Sequence, residues 1–412
     1  MRFVKDYSKR KVLGSSEALS LIKGINEDLL KSYESCYSSL LLPFDSDFVA
    51  QSSSLLKKME DVDILVVVGI GGSNLGAMAL IEAIKGKYHN LFDKKKVFFA
   101  DTVDSDNTLS ILSACKNKKF LLAFISKSGT TTESVANFEV FLKKIPVSKR
   151  KDRVVVITDE GSMLSVYAER NGFNSLFIPR LVGGRYSVFS NVGLFPLLFA
   201  GIDVKSLLLG AREAVISFNK QNVSFKGALD LYNNYLEGKN IYDLFFFSSD
   251  LESLGKWYRQ LLGESVGKRF NLLGEEVFCG ITPTVSMGSV DLHSVGQLYI
   301  GGPRDKFTSF ISVENQKGLS VPKNLAGLPD FQGFSFQEIL DAILKGTMRA
   351  YKKNKLPFNH YCLKEKSAFE LGFFMQSKML EVVILAHLLG VDAFNQPSVE
   401  DYKKETKLLL KK

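Results

Sequence analysis

Along this chain, short runs of β-branched and aromatic residues alternate with longer stretches whose apolar positions recur at helical spacing. Residues 63–69, DILVVVG, form the first run, followed by a Gly-rich turn and the helical pattern LGAMALIEAIKG. Similar runs recur at KVFFAD (96–101), KFLLAFIS (119–126), RVVVIT (153–158) and SLFIP (175–179), with helix-compatible segments between most of them. Runs that are apolar throughout, without a polar residue at every second position, predict parallel strands covered on both faces. The pattern restarts at IYDLFFFSS (241–249), passes through the helical LESLGKWYRQLLGESVGK, and continues through EEVFCG (275–280) and KFTSFISVE (306–314). An α/β protein of two consecutive units is therefore predicted. Between them, the strongly apolar VGLFPLLFAGI reads as a connecting helix and not as a flexible linker. Helical composition without a strand pattern makes residues 1–45 an N-terminal arm. The expected units are then residues 46–185 and 186–390, with a C-terminal segment at 391–412.

Composition supports this picture and narrows the chemistry. A chain of 412 residues, 45% hydrophobic and 24% charged, has enough apolar material for two domains. Its net charge of +9 is spread along the sequence without a base-reading motif, so it suits anionic small molecules and argues against a nucleic-acid partner. Cys36, Cys115, Cys279 and Cys362 are far apart and lack metal-ligand spacing, as expected for reduced thiols in the cytoplasm. The N-terminal residues lack a signal-peptide core. From Phe369 to Val391 the chain is very apolar, but Glu370, Lys378, Glu381 and His387 interrupt it, which predicts a buried helix and no membrane span.

Two loops carry candidate chemistry. After the first strand, Gly69-Ile70-Gly71-Gly72-Ser73-Asn74-Leu75-Gly76 invites a dinucleotide reading and fails it. The fingerprint needs glycine where Asn74 stands, and a phosphate loop of the nucleotide triphosphatase type needs lysine where Ala77 stands. What remains is either a glycine-lined anion or polar-ligand site at a helix N-terminus, or a plain turn capped by Ser73 or Asn74. The strand ending at Ile125 runs into Ser126, Ser128, Thr130, Thr131, Thr132 and Ser134, six hydroxyls within nine residues, with Lys127 among them. Thr130 and Glu133 fit a capping box, but one cap needs one hydroxyl. Six hydroxyls and the amides of a helix start suit a phosphate.

In the second unit Gln260 and Glu264 lie four apart, on one face of a helix. His293, in DLHSVGQ, is one of four histidines; His89, His360 and His387 read as structural. Taken together, GIGGSNLG, FISKSGTTTES, GGRYSVFSNVGLFP, QLLGESVGK, DLHSVGQ and FNQPSVEDYKK occur in an order and approximate spacing that resembles the glucose-6-phosphate isomerase (phosphoglucose isomerase) family in its shorter bacterial form. The resemblance runs from about residue 60 to residue 405. It implies two sugar-isomerase (SIS-type) three-layer αβα domains with parallel sheets, an N-terminal arm and a C-terminal helical tail. It also implies the reversible interconversion of glucose 6-phosphate and fructose 6-phosphate in glycolysis and gluconeogenesis.

By the same resemblance, Ser126, Lys127, Ser128 and Thr131 match the phosphate loop, with Gln396 approaching from the C-terminal segment. Gly72 and Ser73 match the sugar-contacting loop, and Gln260 a substrate-contacting glutamine. Glu264 matches the catalytic base, Arg185 the arginine beside the developing enediolate, His293 the ring-opening histidine and Lys403 the lysine at the ring oxygen, with Glu133 beside it. The residue types suit these roles. One carboxylate can shuttle a proton between adjacent carbons, a guanidinium can stabilise the enediolate, and an imidazole can titrate near neutrality to open the sugar ring. The route needs no metal or nicotinamide cofactor. The family's functional histidine comes from the neighbouring subunit, so a homodimer sharing the His293 segment is expected. Asn395 and Ser398 depart from the family's usual aspartate and glycine. Alternatives are a non-catalytic sugar-phosphate sensor, which needs neither Glu264 nor His293, and an isomerase of related sugars such as mannose 6-phosphate.

Overall fold

The strand Ile64–Val68 is buried at every position, and its neighbours explain why the run is apolar throughout. Leu65 and Val67 face one apolar core, whereas Ile64, Val66 and Val68 face another. A strand covered on both faces has no solvent side and therefore no polar alternation. The computed structural model describes residues 1–3, 37–217, 223–322 and 331–410. In chain order its strands are β1 (Arg2–Phe3), β2 (Ile64–Val68), β3 (Lys96–Ala100), β4 (Phe120–Ile125), β5 (Val154–Asp159), β6 (Asn174–Ile178), β7 (Ile241–Phe246), β8 (Lys268–Phe270), β9 (Glu276–Cys279), β10 (Thr282–Met287), β11 (Lys306–Val313) and β12 (Phe358–Leu363).

They form two five-stranded sheets and a hairpin. The first sheet has the order β3-β2-β4-β5-β6 and is parallel throughout. The second has the order β1-β12-β11-β7-β10, parallel except for β1, which pairs antiparallel to β12. One large core joins the inner faces of both sheets, and two smaller cores cover their outer faces. Tyr242, Leu244 and Phe246 of β7 point into the shared core, while Phe245 points to the outer one. Three-layer αβα packing around each sheet is the result, in agreement with the predicted fold class.

Three details differ from the sequence expectation. EEVFCG belongs to no large sheet: β9 pairs antiparallel with β8 in a hairpin, and Phe278 is 70% exposed. Strands β10 and β12, TPTVSM and FNHYCL, have polar residues that broke the apolar pattern. Those residues are internally bonded: Thr284 and Ser286 donate to Asp243, and Asn359 donates to Asp230. The expected helical arm at 1–45 contains a strand, β1, and, among its described residues, the helix Ser38–Leu41. Its residues 4–36, and Cys36 with them, lie outside the described residues.

The connecting helix is present as Asn191–Phe199, with Pro196 inside it. Ala368–Leu388 is, among the described residues, the one helix long and apolar enough to cross a membrane, and most of it is buried within the protein. Lys378 and Glu381, two of the charges inside it, pair at 2.7 Å. Tyr258 donates to the same glutamate at 2.6 Å, so that a buried charge is both paired and hydrogen-bonded.

Candidate active site

The first sheet's strand order creates a crevice. From β2 the chain goes to the edge strand β3, then crosses back over β2 to build β4, β5 and β6 on the other side. The topological switch therefore lies between β2 and β4, where loops leaving the carboxyl ends diverge and ligands bind in open α/β sheets. Both candidate loops leave from this point. Gly71 (φ 60°) and Gly129 (φ 73°) supply the left-handed turns that the two loops require. Gly72 allows a close approach: a methyl group there would stand 2.1 Å from the Gly184 carbonyl carbon. The glycine loop thus lies directly against the turn that carries Arg185.

Neither loop is the cap that the bland reading offered. The helix Leu75–Lys85 starts after Asn74, whose side chain makes no cap bond and donates to Asp101 at 3.1 Å. The helix Thr132–Leu142 has Thr131 as its cap residue, again without a side-chain cap bond, so the Thr130–Glu133 capping box is absent. The hydroxyls organise the loop instead. Ser126 Oγ accepts from the Gly129 amide at 3.1 Å, and Ser128 Oγ from the Thr130 amide at 3.2 Å. Ser73, Ser126, Lys127, Ser128 and Thr131 line a cavity of about 1260 Å³, with Gln396 and Lys403 joining from the C-terminal segment.

Lys127 donates to the carbonyls of Arg180 (2.7 Å) and Val182 (3.1 Å), so its ammonium ties the hydroxyl loop to the chain approaching Arg185. Asp159 lies 3.9 Å from that ammonium, and burial pushes its carboxyl upward.

Arg185 is the centre of a second cluster. It lies in the 3-10 turn Gly184–Phe189 and is 2% exposed. A buried guanidinium is tolerated only when its donors are satisfied. Nε donates to Ser265 Oγ (2.8 Å), Nη1 to Glu264 Oε2 (3.2 Å) and Gln396 Oε1 (2.7 Å), and Nη2 to the carbonyls of Ala393 (2.6 Å) and Asn395 (3.2 Å). Glu264 comes from the last turn of the helix Glu252–Val266, and its other oxygen accepts from Gln260 Nε2 at 3.0 Å. Its carboxylate is one-third exposed, so it opens to solvent while the arginine does not. Gln260 Oε1 is buried with no hydrogen-bond partner among the described residues.

Glu264 borders a further cavity of about 680 Å³, and Gln396 borders both cavities. Thus Gln396 stands between the hydroxyl loop and the carboxylate. Lys403, in the exposed helix Glu400–Leu409, pairs with Glu400 at 2.7 Å and shares a small cavity with Thr131 and Glu133. Asn395 and Ser398, the departures from the family pattern, line the Glu264 cavity, and the Asn395 carbonyl bonds Arg185.

His293 is not brought into this constellation. It is exposed and lines neither cavity. The topology explains the separation. The helix Glu252–Val266 returns along β10, so that Gly255 lies against Val285 and Gly263 beside Pro283, near the amino end of that strand. His293 follows the carboxyl end of β10. Of the other histidines, His360 is bonded to Ser312 at 2.8 Å and held down at about 4 by burial.

Ser265 and Lys268 were not singled out from sequence, although both lie in the quoted GESVGK. Lys268 donates to the carbonyls of Glu264 (2.7 Å) and Asn395, and it is 7% exposed. Burial, with the nearby Arg185 charge acting the same way, pushes its ammonium down to about 8. Adjacency to Glu264 was the available signal; contact with a segment over a hundred residues away was not. Among the described residues, no group of three or more His, Cys, Asp or Glu side chains could hold a metal ion.

Comparison with known proteins matches the phosphoglucose isomerase family over residues 51–322. A glucose-6-phosphate isomerase of Exiguobacterium sibiricum is 34% identical over 386 residues, covering 89% of this chain and 84% of the relative. A hypothetical protein of Thermus thermophilus has the same fold at TM-score 0.86 and 30% identity, over 96% of both chains. The fold is shared at TM-score 0.75 by a glucose-6-phosphate isomerase of Chlamydia trachomatis, 21% identical over 98% of this chain and 76% of that one.

Proposed function

The chain belongs to the phosphoglucose isomerase family, and from that premise we propose how its residues divide the work of the reaction. The protein is an aldose–ketose isomerase that interconverts glucose 6-phosphate and fructose 6-phosphate through a cis-enediol(ate), a step of glycolysis and gluconeogenesis. Removing the proton beside the carbonyl and returning it to the adjacent carbon requires one carboxylate with access to both carbons. Glu264 is that base. The observation that carries the assignment is its setting: one oxygen is held by Arg185 at 3.2 Å and the other by Gln260 at 3.0 Å, while the carboxylate remains open to a cavity.

Arg185 also has the charge needed to stabilise the enediolate, and its bonds to fixed backbone carbonyls support preorganisation. The unpartnered Oε1 of Gln260 suits a sugar hydroxyl. The phosphate belongs at the Ser126–Thr131 loop, where hydroxyls and the helix N-terminus can receive it. Gln396, between the loop and Arg185, then contacts the substrate between its two ends, with Gly72 and Ser73 forming the opposite wall. Lys403, near the phosphate loop, assists ring opening.

His293 completes ring opening from a second copy of the chain. Its position beyond the carboxyl end of β10, with Glu264 near that strand's amino end, supports a shared site in a homodimer. The test is fructose 6-phosphate turnover by the purified protein, with Glu264→Gln alongside. The variant should bind substrate and lose roughly 100-fold or more of kcat; near-parental turnover would remove Glu264 from the role.

A further inference from the structure

Lys268 is buried, charged and unused by the mechanism above. It stands just after the helix Glu252–Val266, whose last carbonyls have no partner within the helix. Its ammonium takes one of them, that of Glu264 itself, at 2.7 Å. It also bonds the Asn395 carbonyl, which receives Arg185 Nη2 at 3.2 Å. Two buried cations therefore converge on one carbonyl, immediately before Gln396. An ammonium bound to neutral carbonyls recovers little of its lost hydration, so a simple packing role would be better filled by an apolar side chain.

We infer that Lys268 is a positioning residue, one that ties the end of the Glu264 helix to the segment Ala393–Gln396 and so keeps Glu264, Arg185 and Gln396 in register. This rests on the isomerase reading given above. Lys268 borders the Glu264 cavity, but its bonds go to the Glu264 and Asn395 carbonyls and not to the carboxylate, so it acts on the backbone of both partners. Arg185 from its turn, Glu264 from the helix and Asp392 from the C-terminal segment are the charged groups that bear on it. Burial and Arg185 favour the neutral amine, whereas Asp392 and Glu264 favour the ammonium, and the balance lies at about 8. Loss of the proton removes the charge from both carbonyl bonds and loosens the tie.

The experiment is the pH profile of kcat/KM for fructose 6-phosphate, with full-length parent, Lys268→Met and Lys268→Arg. The parent should lose activity above about pH 8. At pH 7, Lys268→Met should be lower by roughly 10- to 100-fold, the scale expected when reacting groups are misplaced, and it should lack that alkaline limb. Lys268→Arg, with a guanidinium that can reach the same carbonyls, should recover most of the loss at pH 7 and also lack the limb. Parental kcat/KM in Lys268→Met, or a limb that persists near pH 8 in Lys268→Arg, would overturn the inference while leaving the isomerase reading intact. If the Met variant does not fold, the Arg profile decides by itself. A parent without turnover would remove the isomerase reading and this inference with it.

Discussion

The two sheets share a strand order and serve the site from different ends. Counted from its first parallel strand, each runs to a neighbour and then crosses back: β2, β3, β4 in one, and β7, β10, β11 in the other. The first presents the loops at its carboxyl edge, where the topological switch opens a crevice. The second presents the far end of the helix that follows β7, so Glu264 emerges near the amino end of β10. Their interiors differ as well. Every residue of β2 is buried and aliphatic, whereas β7 carries the fully buried Asp243. Repetition of an architecture therefore does not repeat a site: one unit can hold an anion with loops and supplies the arginine, while the other sets an acid against that arginine.

The sharpest test of this division is complementation. Glu264→Gln and His293→Ala should each lose roughly 100-fold or more in kcat. After subunit exchange, a mixture should recover about a quarter of parental activity, because mixed dimers hold one site with both native groups. No recovery despite verified exchange would break the proposed sharing between opposite edges. Next, Gly72→Ala forces the glycine loop away from Gly184, and it should lower kcat/KM by roughly 10- to 100-fold through displacement of Arg185. A parental value would mean that the contact between the glycine loop and the Gly184 turn does not position the arginine.

Thr131→Val removes one hydroxyl from the anion loop alone. It should weaken sugar-phosphate binding by roughly 1–3 kcal/mol while leaving kcat nearly unchanged; an equal loss in kcat would erase the separation between anchoring and chemistry. An effect on stability alone concerns Asp243, whose carboxyl burial raises from 3.8 to about 6. Between these values the folded chain keeps a proton that the unfolded chain releases, so stability contributed by this group falls as pH rises from 4 to 6. Urea unfolding should show the parent losing about 1–3 kcal/mol relative to Asp243→Asn across that interval. Parallel pH curves would show that the carboxylate is better solvated than its burial implies.

Legibility followed the same division. In the first unit, strands buried on both faces announce themselves as apolar runs, and the glycine and hydroxyl loops lie next to them in sequence. In the second, β10 was concealed by Thr284 and Ser286, which look like loop residues but satisfy Asp243. The hairpin strand β9 misled in the opposite sense, since Val277 and Phe278 are apolar and exposed. Local pattern reports what a residue prefers, and buried hydrogen-bond partners can overrule that preference.

Residue type and short spacing were enough to specify the α/β class, every strand of the first sheet and two of the second, and a set of ordered motifs that pointed to the family. Neighbouring positions can express such properties without any distant partner. Chain crossing was needed to bring Arg185 to Glu264, 79 positions away, and to the Ala393 carbonyl, 208 positions away. It also put Lys268 against the Asn395 carbonyl and His293 away from both cavities. Long-range contacts of this kind rest on the path of the backbone and on its own polar groups, and a carbonyl oxygen has the same chemical identity at every residue.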